Sequence, residues 1–193
     1  MSYSTPIQFE VTDPVLLDNK IAEIQTVLKT ATLSWNVYSF ARAYKHAKMV
    51  EGAKVYYPAV FQGTGKDYLN MLPNDNLNSY SFVYAGQPQD LQYNDEGTHE
   101  YETTISIIVV FQLKKIGTSY DNRFTERLKY DVIDALALVP DLEIETVYDE
   151  IEECFAEFTV TEIEAQYLSE QFGALRLDCS VNYSNECLII NTY

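Results

Sequence analysis

The residues that most often carry chemistry are scarce in this chain of 193 and are not spaced to act together. There are two histidines: His46 in a basic stretch and His99 at the start of an apolar run. Neither has a Cys or His neighbour at metal-ligand spacing. The three cysteines, Cys154, Cys179 and Cys187, are an odd number without metal or disulfide spacing. That usage predicts ordinary thiols in a reduced, cytosolic setting. No nucleophile elbow, phosphate-binding loop, dinucleotide fingerprint or zinc-protease helix motif occurs, and Gly63-Thr64-Gly65-Lys66 reads as a hairpin turn rather than a phosphate cradle. Asp90, Asp95 and Glu96 do not match the spacing of a calcium loop. Carboxylate pairs such as Glu152-Glu153 are plentiful, but a general acid needs a carboxylate isolated in an apolar setting, and none sits alone in an apolar run. The expectation is a chain with no catalytic, no cofactor-binding and no metal-binding residues, and no cofactor. It is not expected to be an enzyme.

Charge is the more informative property. The formal net charge is −16, which argues against wrapping nucleic acid through phosphate contacts. The acid is unevenly placed. Residues 134–193 hold 14 acids and one base, Arg176, whereas the first 133 residues hold 15 acids and 12 bases. Such a block either faces water, docks a basic partner, or repels DNA passing by. Arg42, Lys45, Lys48 and Lys54, with Tyr44 and His46 between them, mix cations and rings as nucleic-acid binders do. In so acidic a protein that stretch reads rather as a solvated or subunit-contact loop.

The elements that would position these residues follow from periodicity. Residues 1–12 form an extended arm, with Ile7, Phe9 and Val11 alternating. Asp13-Pro14 starts a helix in which Leu17, Ile21, Ile24 and Leu28 share a face, opposite Asp18, Asn19, Glu23 and Gln25. Trp35 belongs to a short segment packed into the core. The stretch from Lys54 to Ala85 organises the chain as strand, tight turn at Gln62–Gly65, short aromatic segment, polar turn at Pro73–Asn76, and strand. Gly86 to Gly97 reads as a polar loop. His99 to Ile116 is the strongest strand, alternating at first and then apolar on both sides from Ile107 to Phe111, as the centre of a sheet is. Gly117-Thr118-Ser119 breaks it, and Asn122 or Thr125 caps a helix to about Val139, ended by Pro140. Leu142, Ile144 and Thr146 alternate in a short strand. Tyr148 to Val160 fits both helix and strand, with the strand favoured for its second half. Ala174 to Tyr183 is a strand with Leu175, Leu177, Cys179, Val181 and Tyr183 on one face. Cys187 to Tyr193 is a last strand or an arm.

The sum is one α+β domain over residues 1–193. Its mostly antiparallel sheet has about five or six strands, with two main helices packed on one side. Arms at 1–12 and 187–193 would be free to contact neighbours. No apolar run approaches the roughly 18 residues of a membrane helix, so no membrane partner is expected. The opening MSYSTPIQFE has no basic region followed by an apolar one.

The order of these elements carries a resemblance. The N-terminal helix, the PAVF and DYLNMLPNDNLNSYSFVY block, the long apolar strand, FTERLKYDVIDAL and the final GALRLDCSVNY strand resemble neck ring proteins of tailed bacteriophages. They are similar above all to ring proteins of crAss-like gut phages. The resemblance spans roughly residues 13–190. It implies a tail-terminator-like fold and a structural, non-catalytic virion protein of the neck or tail, assembled in the cytoplasm of the host bacterium. It also implies a homo-oligomeric ring, twelvefold or sixfold, that joins the portal to other neck ring or tail proteins. Genomic DNA would pass through the lumen without sequence-specific binding. The alternative is an acidic cytosolic module that docks a basic partner through residues 134–186.

Overall fold

The computed structural model describes residues 13–30, 38–61, 68–72, 79–93, 99–112, 124–159 and 172–184. Over these described residues the architecture is α+β, with eight strands and three helices. The elements in chain order are α1 (Leu17–Thr30), β1 (Tyr38–Val50), β2 (Ala53–Phe61), β3 (Tyr68–Asn70), β4 (Ser79–Tyr84), β5 (Asp90–Tyr93) and β6 (His99–Gln112). They continue with α2 (Phe124–Leu136), β7 (Leu142–Tyr148), α3 (Ile151–Cys154) and β8 (Phe172–Ser184). All strands join one sheet in the order β3-β2-β1-β4-β6-β8-β7, with β5 also paired to β6. Every pairing is antiparallel except β1 with β4, so the sheet is mixed.

The apolar run of β6 sets the layers. Ile105, Ile107, Val109 and Phe111 belong to one core, and Ile108 and Val110 to another. On the first face they meet α1, through Leu17, Ile21, Ile24 and Leu28, and α2, through Leu128, Val132, Ala135 and Leu136. Both long helices therefore lie on one side of the sheet, as the two apolar stripes predict. Burying each of these leucine, isoleucine and valine side chains contributes about 1.5–3 kcal/mol at most. On the second face, Phe40, Tyr80, Phe82, Cys154, Phe155 and Phe158 form the other core.

The strand count exceeds the expected five or six for identifiable reasons. Residues 42–48 are not a loop but the middle of β1, whose hairpin with β2 turns at Glu51 (φ 49°) and Gly52 (φ 86°). Two consecutive left-handed residues match the twist of the flanking strands, and glycine meets the second without a Cβ penalty. Asp90–Tyr93 is likewise a strand and not a loop. β4 pairs with β6 only from Ser106 to Phe111, and β5 fills the same side of β6 from His99 to Glu102.

Three further expectations change. Helix α1 begins at Leu17 rather than at Asp13-Pro14, because Asp13 (φ 52°) and Leu16 (φ 50°) are both left-handed there. Gln25, expected on the outer face, is buried and its Nε2 donates to the Ser39 carbonyl at 3.1 Å. The favoured strand at the end of 148–160 is absent: Ile151–Cys154 is helical and residues 155–157 form a turn. Helical spacing wins because it brings Cys154, Phe155 and Phe158 onto one core.

The alternation of β7 is also interrupted. Ile144 pairs with Cys179 and Thr146 with Asp178, which leaves Glu145 as an extra residue in a bulge. Val147 thereby joins Leu142 and Ile144 against the first core, while Tyr148 turns to the second. Beyond it, residues 149–159 strap the second face. Arg176 Nη1 donates to the Glu153 carbonyl at 3.4 Å, Phe158 meets the Tyr84 ring at 5.1 Å, and the strap ends on β2. There the Thr159 amide donates to the Tyr56 carbonyl at 2.8 Å and the Tyr56 amide to Thr159 Oγ1 at 2.9 Å. The arms at 1–12 and 187–193, Trp35, the turns at Gln62–Gly65 and Pro73–Asn76, the break at Gly117–Ser119 and the cap at Asn122 lie outside the described residues.

Gly173 sits opposite Phe111 in the β6/β8 ladder, and a Cβ there would collide with the Phe111 ring. Gly173→Ala is expected to lower stability by about 1–3 kcal/mol, read as a lower urea midpoint. Adding Phe111→Leu should recover part of that loss, and a double-mutant cycle showing simple additivity would contradict the contact.

Candidate functional site

The structure sorts the candidate chemistry first. Among the described residues, no group of three or more His, Cys, Asp or Glu side chains could hold a metal ion. His46 lies between rings, 4.2 Å from the Tyr68 centroid and 6.0 Å from that of Tyr57. His99 opens β6. Cys154 and Cys179 are buried, and burial first, then nearby carboxylates, pushes each thiol up to about 12. Neither is thiolate at neutral pH, so neither is a nucleophile. Cys187, Asp95 and Glu96 lie outside the described residues, and Asp90 starts β5. Glu152 and Glu153 are exposed on α3.

The one base of the acidic block, Arg176, is occupied structurally. Its Nε and Nη2 donate to the two carboxylate oxygens of Asp178 at 2.7 and 3.1 Å, and its guanidinium lies 5.6 Å from the Tyr148 ring centroid. Ser106 Oγ donates to the same Asp178 carboxylate at 2.6 Å. β8 places Arg176 and Asp178 two residues apart on the second face, so the fork closes without further ordering.

What remains are two surfaces at opposite ends of the sheet. At one end, the β1/β2 register sets Tyr44 opposite Ala59 and His46 opposite Tyr57, and β3 sets Tyr68 opposite Phe61. The rings collect there. Tyr68 touches Phe61 at 5.3 Å and Tyr44 at 6.4 Å between centroids, besides His46. Tyr44, Phe61 and Tyr68 remain 44%, 41% and 43% exposed, and Met49 near the hairpin tip 67%. Cations lie over the rings on both faces: Arg42 over Tyr44, Lys48 over Tyr57, and Lys45 and Lys54 over Tyr56, all within 5.1–5.8 Å of a centroid. Segment 38–61 holds these four bases against one acid, Glu51.

At the other end, β7 is the last strand of the sheet among the described residues. Residues 141–153 hold seven acids and no base. Asp141, Glu143, Glu145, Asp149, Glu150, Glu152 and Glu153 are exposed, and Asp134 is exposed on α2. Two lysines reach this rim. Lys20 Nζ lies 3.6 Å from Asp141 and donates to the Pro140 carbonyl at 2.9 Å. Lys129 donates to Asp149 and to Glu126, and these bonds hold its ammonium above its usual range.

The sequence located the basic stretch and the acidic block but missed the ring cluster. Its signal was there: counting outward from Glu51-Gly52 as a two-residue turn pairs His46 with Tyr57 and Tyr44 with Ala59. No helix among the described residues is long and apolar enough to cross a membrane. No protein-family model matches the chain, and no curated protein matches it.

Two outcomes follow. Arg176→Met is expected to cost about 1–3 kcal/mol, because it leaves the largely buried Asp178 carboxylate without its fork; an unchanged urea midpoint would rule that role out. In a Cys187→Ser variant, Ellman's reagent at pH 8 should give no colour until denaturant is added, since thiols that ionise near 12 stay protonated. Rapid modification of the folded variant would show that one of the two is reachable and ionised.

Proposed function

We propose that this chain is a structural subunit of the neck of a tailed bacteriophage, with a tail-terminator-like fold. Copies assemble into a ring, twelvefold or sixfold, that joins the portal to other neck or tail proteins and surrounds the channel through which genomic DNA passes. The role is one of assembly and passage, and no catalytic step belongs to it.

The observation that carries this reading is the exposed acidic rim along β7 and its flanking turns, Asp134 to Glu153. With −16 on each copy, a ring keeps a negative potential around its channel even where part of this rim pairs with a neighbour, and a wall of that sign lets phosphates slide past without sticking. The phrases that carry the resemblance support it from a second side. PAVF ends β2, DYLNMLPNDNLNSYSFVY spans β3 to β4, FTERLKYDVIDAL is α2, and GALRLDCSVNY lies within β8. Each phrase thus belongs to a framework element or joins two of them.

The test is native mass by light scattering across a concentration series, with negative-stain images of the same fractions. The expected result is closed rings at six or twelve times the 22.1 kDa chain. A chain that stays monomeric at the highest attainable concentration overturns the ring reading and favours an acidic module that docks a basic partner.

A further inference from the structure

The charge of this protein is segregated along its sheet. In the order β3-β2-β1-β4-β6-β8-β7, the basic hairpin stands at one end and the acidic strand at the other. We infer that the β1–β2–β3 end of one copy docks on the β7 rim of a second copy, head to tail. This deepens the ring reading and rests on it.

The hairpin end has the make-up of a contact surface. Phe40, Ala41 and Ala43 are buried where β1 crosses the body of the sheet, whereas Tyr44, Lys45, Ala47, Lys48 and Met49 further along are exposed. The exposed part combines tyrosine, phenylalanine and methionine, residue types enriched at protein interfaces. Aromatic residues seldom stay uncovered in such numbers without a partner. Its cations are arranged over the rings, so burying the rings brings the positive charge with them.

Charge complementarity names the occupant. Residues 141–153 offer seven carboxylates and no base, while Glu157 further along already faces Lys45 at 3.8 Å. Strand addition is not the mode of contact. The bulge at Glu145 breaks the regular ladder, and exposed glutamates along the strand oppose pairing with another strand. Side chains make the contact instead: Lys45, Lys48 and Lys54 meet Glu143, Glu145 and the acids of the following turn. Single-stranded nucleic acid is the weaker fit. The rings pack against one another at tilted and edge-on angles, 50° for His46 on Tyr68 and 88° for Tyr44 on Tyr68, so their faces are not laid out as stacking platforms. The net charge of −16 also repels a polyanion at range. A heterologous contact between two different ends of the same chain closes into a ring when repeated around an axis.

The test uses two charge-reversed chains, Lys45→Glu/Lys48→Glu/Lys54→Glu and Glu143→Lys/Glu145→Lys/Glu152→Lys. Each alone sets like charges against each other at the contact and is expected to weaken assembly at least tenfold. Mixed in equal amounts they restore it, because each altered end then meets a complementary one in alternation. Assembly of the wild type should fall as salt shortens the screening length below about 10 Å. Tyr44→Ser/Tyr68→Ser, which alters no lysine, carries the same loss. Wild-type rings unaffected by any of the three variants overturn the head-to-tail contact and leave the ring reading standing. A wild type that never assembles overturns both. Binding of labelled oligothymidylate at physiological salt, lost in Tyr44→Ser/Tyr68→Ser, overturns the second copy as occupant in favour of nucleic acid.

Discussion

Strand β6 must be apolar on both sides, and the rest of the molecule is arranged around satisfying it. Ile105, Ile107, Val109 and Phe111 point to the helices while Ile108 and Val110 point away, all fully buried. A strand of this kind cannot stand at an edge or face water. It therefore needs ladder partners on both sides and a layer over each face. β8 pairs with it from Glu100↔Ser184 to Gln112↔Phe172 without a break, and β4 and β5 share its other side. Helices α1 and α2 cover one face. The other is closed by Cys154, Phe155 and Phe158, with no long helix over it among the described residues.

That division explains what the sequence made legible. Where burial is one-sided or complete over several turns, periodicity reports it directly: the stripes of α1 and α2 and the alternation of β8 were readable because each faces one large core. Where a single residue changes the phase, periodicity misleads. Glu145 is one extra residue in β7, and it exchanges the roles of Thr146 and Val147. The helix at Ile151–Cys154 is only four residues long, too short for its spacing to outvote a strand. The hairpin was missed for another reason. Beyond Ala43 its residues are largely exposed, so the hydrophobic pattern fades while the ladder continues to Val50↔Ala53. Only the Glu51-Gly52 turn chemistry marks it. Of the two charged surfaces, composition alone disclosed the amounts of charge. Their separation to opposite ends is a property of strand order, and β4 inserting between β1 and β6 is what sets the ends apart.

Polar groups inside this framework are used to hold it. Lys20 is buried, yet its ammonium reaches the Pro140 carbonyl and the carboxylates of Glu23 and Asp141, tying α1 to the corner between α2 and β7. That corner turns at Asp141 (φ 53°), a residue type that tolerates the left-handed region. Arg176 does the same on the second face: held by Asp178 on its own strand, it joins β8 to β7 through the Tyr148 ring and to the strap through the Glu153 carbonyl. Partly buried forks of this geometry lose less to solvent screening than surface pairs such as Arg127 with Asp131.

The strap links these threads. Because the bulge at Glu145 turns Tyr148 to the second face, the chain leaving β7 crosses that face instead of continuing along the rim. It passes Arg176 and Tyr84, sets Glu157 3.8 Å from Lys45, and ends hydrogen-bonded in both directions to Tyr56 on β2. One continuous segment therefore spans the sheet from its acidic end to its basic end. A twisted sheet joined only by its ladders can flex about its strands, and the angle between its two ends would vary with it. A segment fixed at both ends and packed between by Phe155 and Phe158 restrains that angle. Closure of a ring depends on the rotation between the two contact surfaces of each subunit, since a small error repeated around the axis gives an open helix in place of a ring. The bulge, the strap and the Tyr56–Thr159 bridge hold the two ends of the sheet at one angle, which is what the proposed ring would require of each subunit.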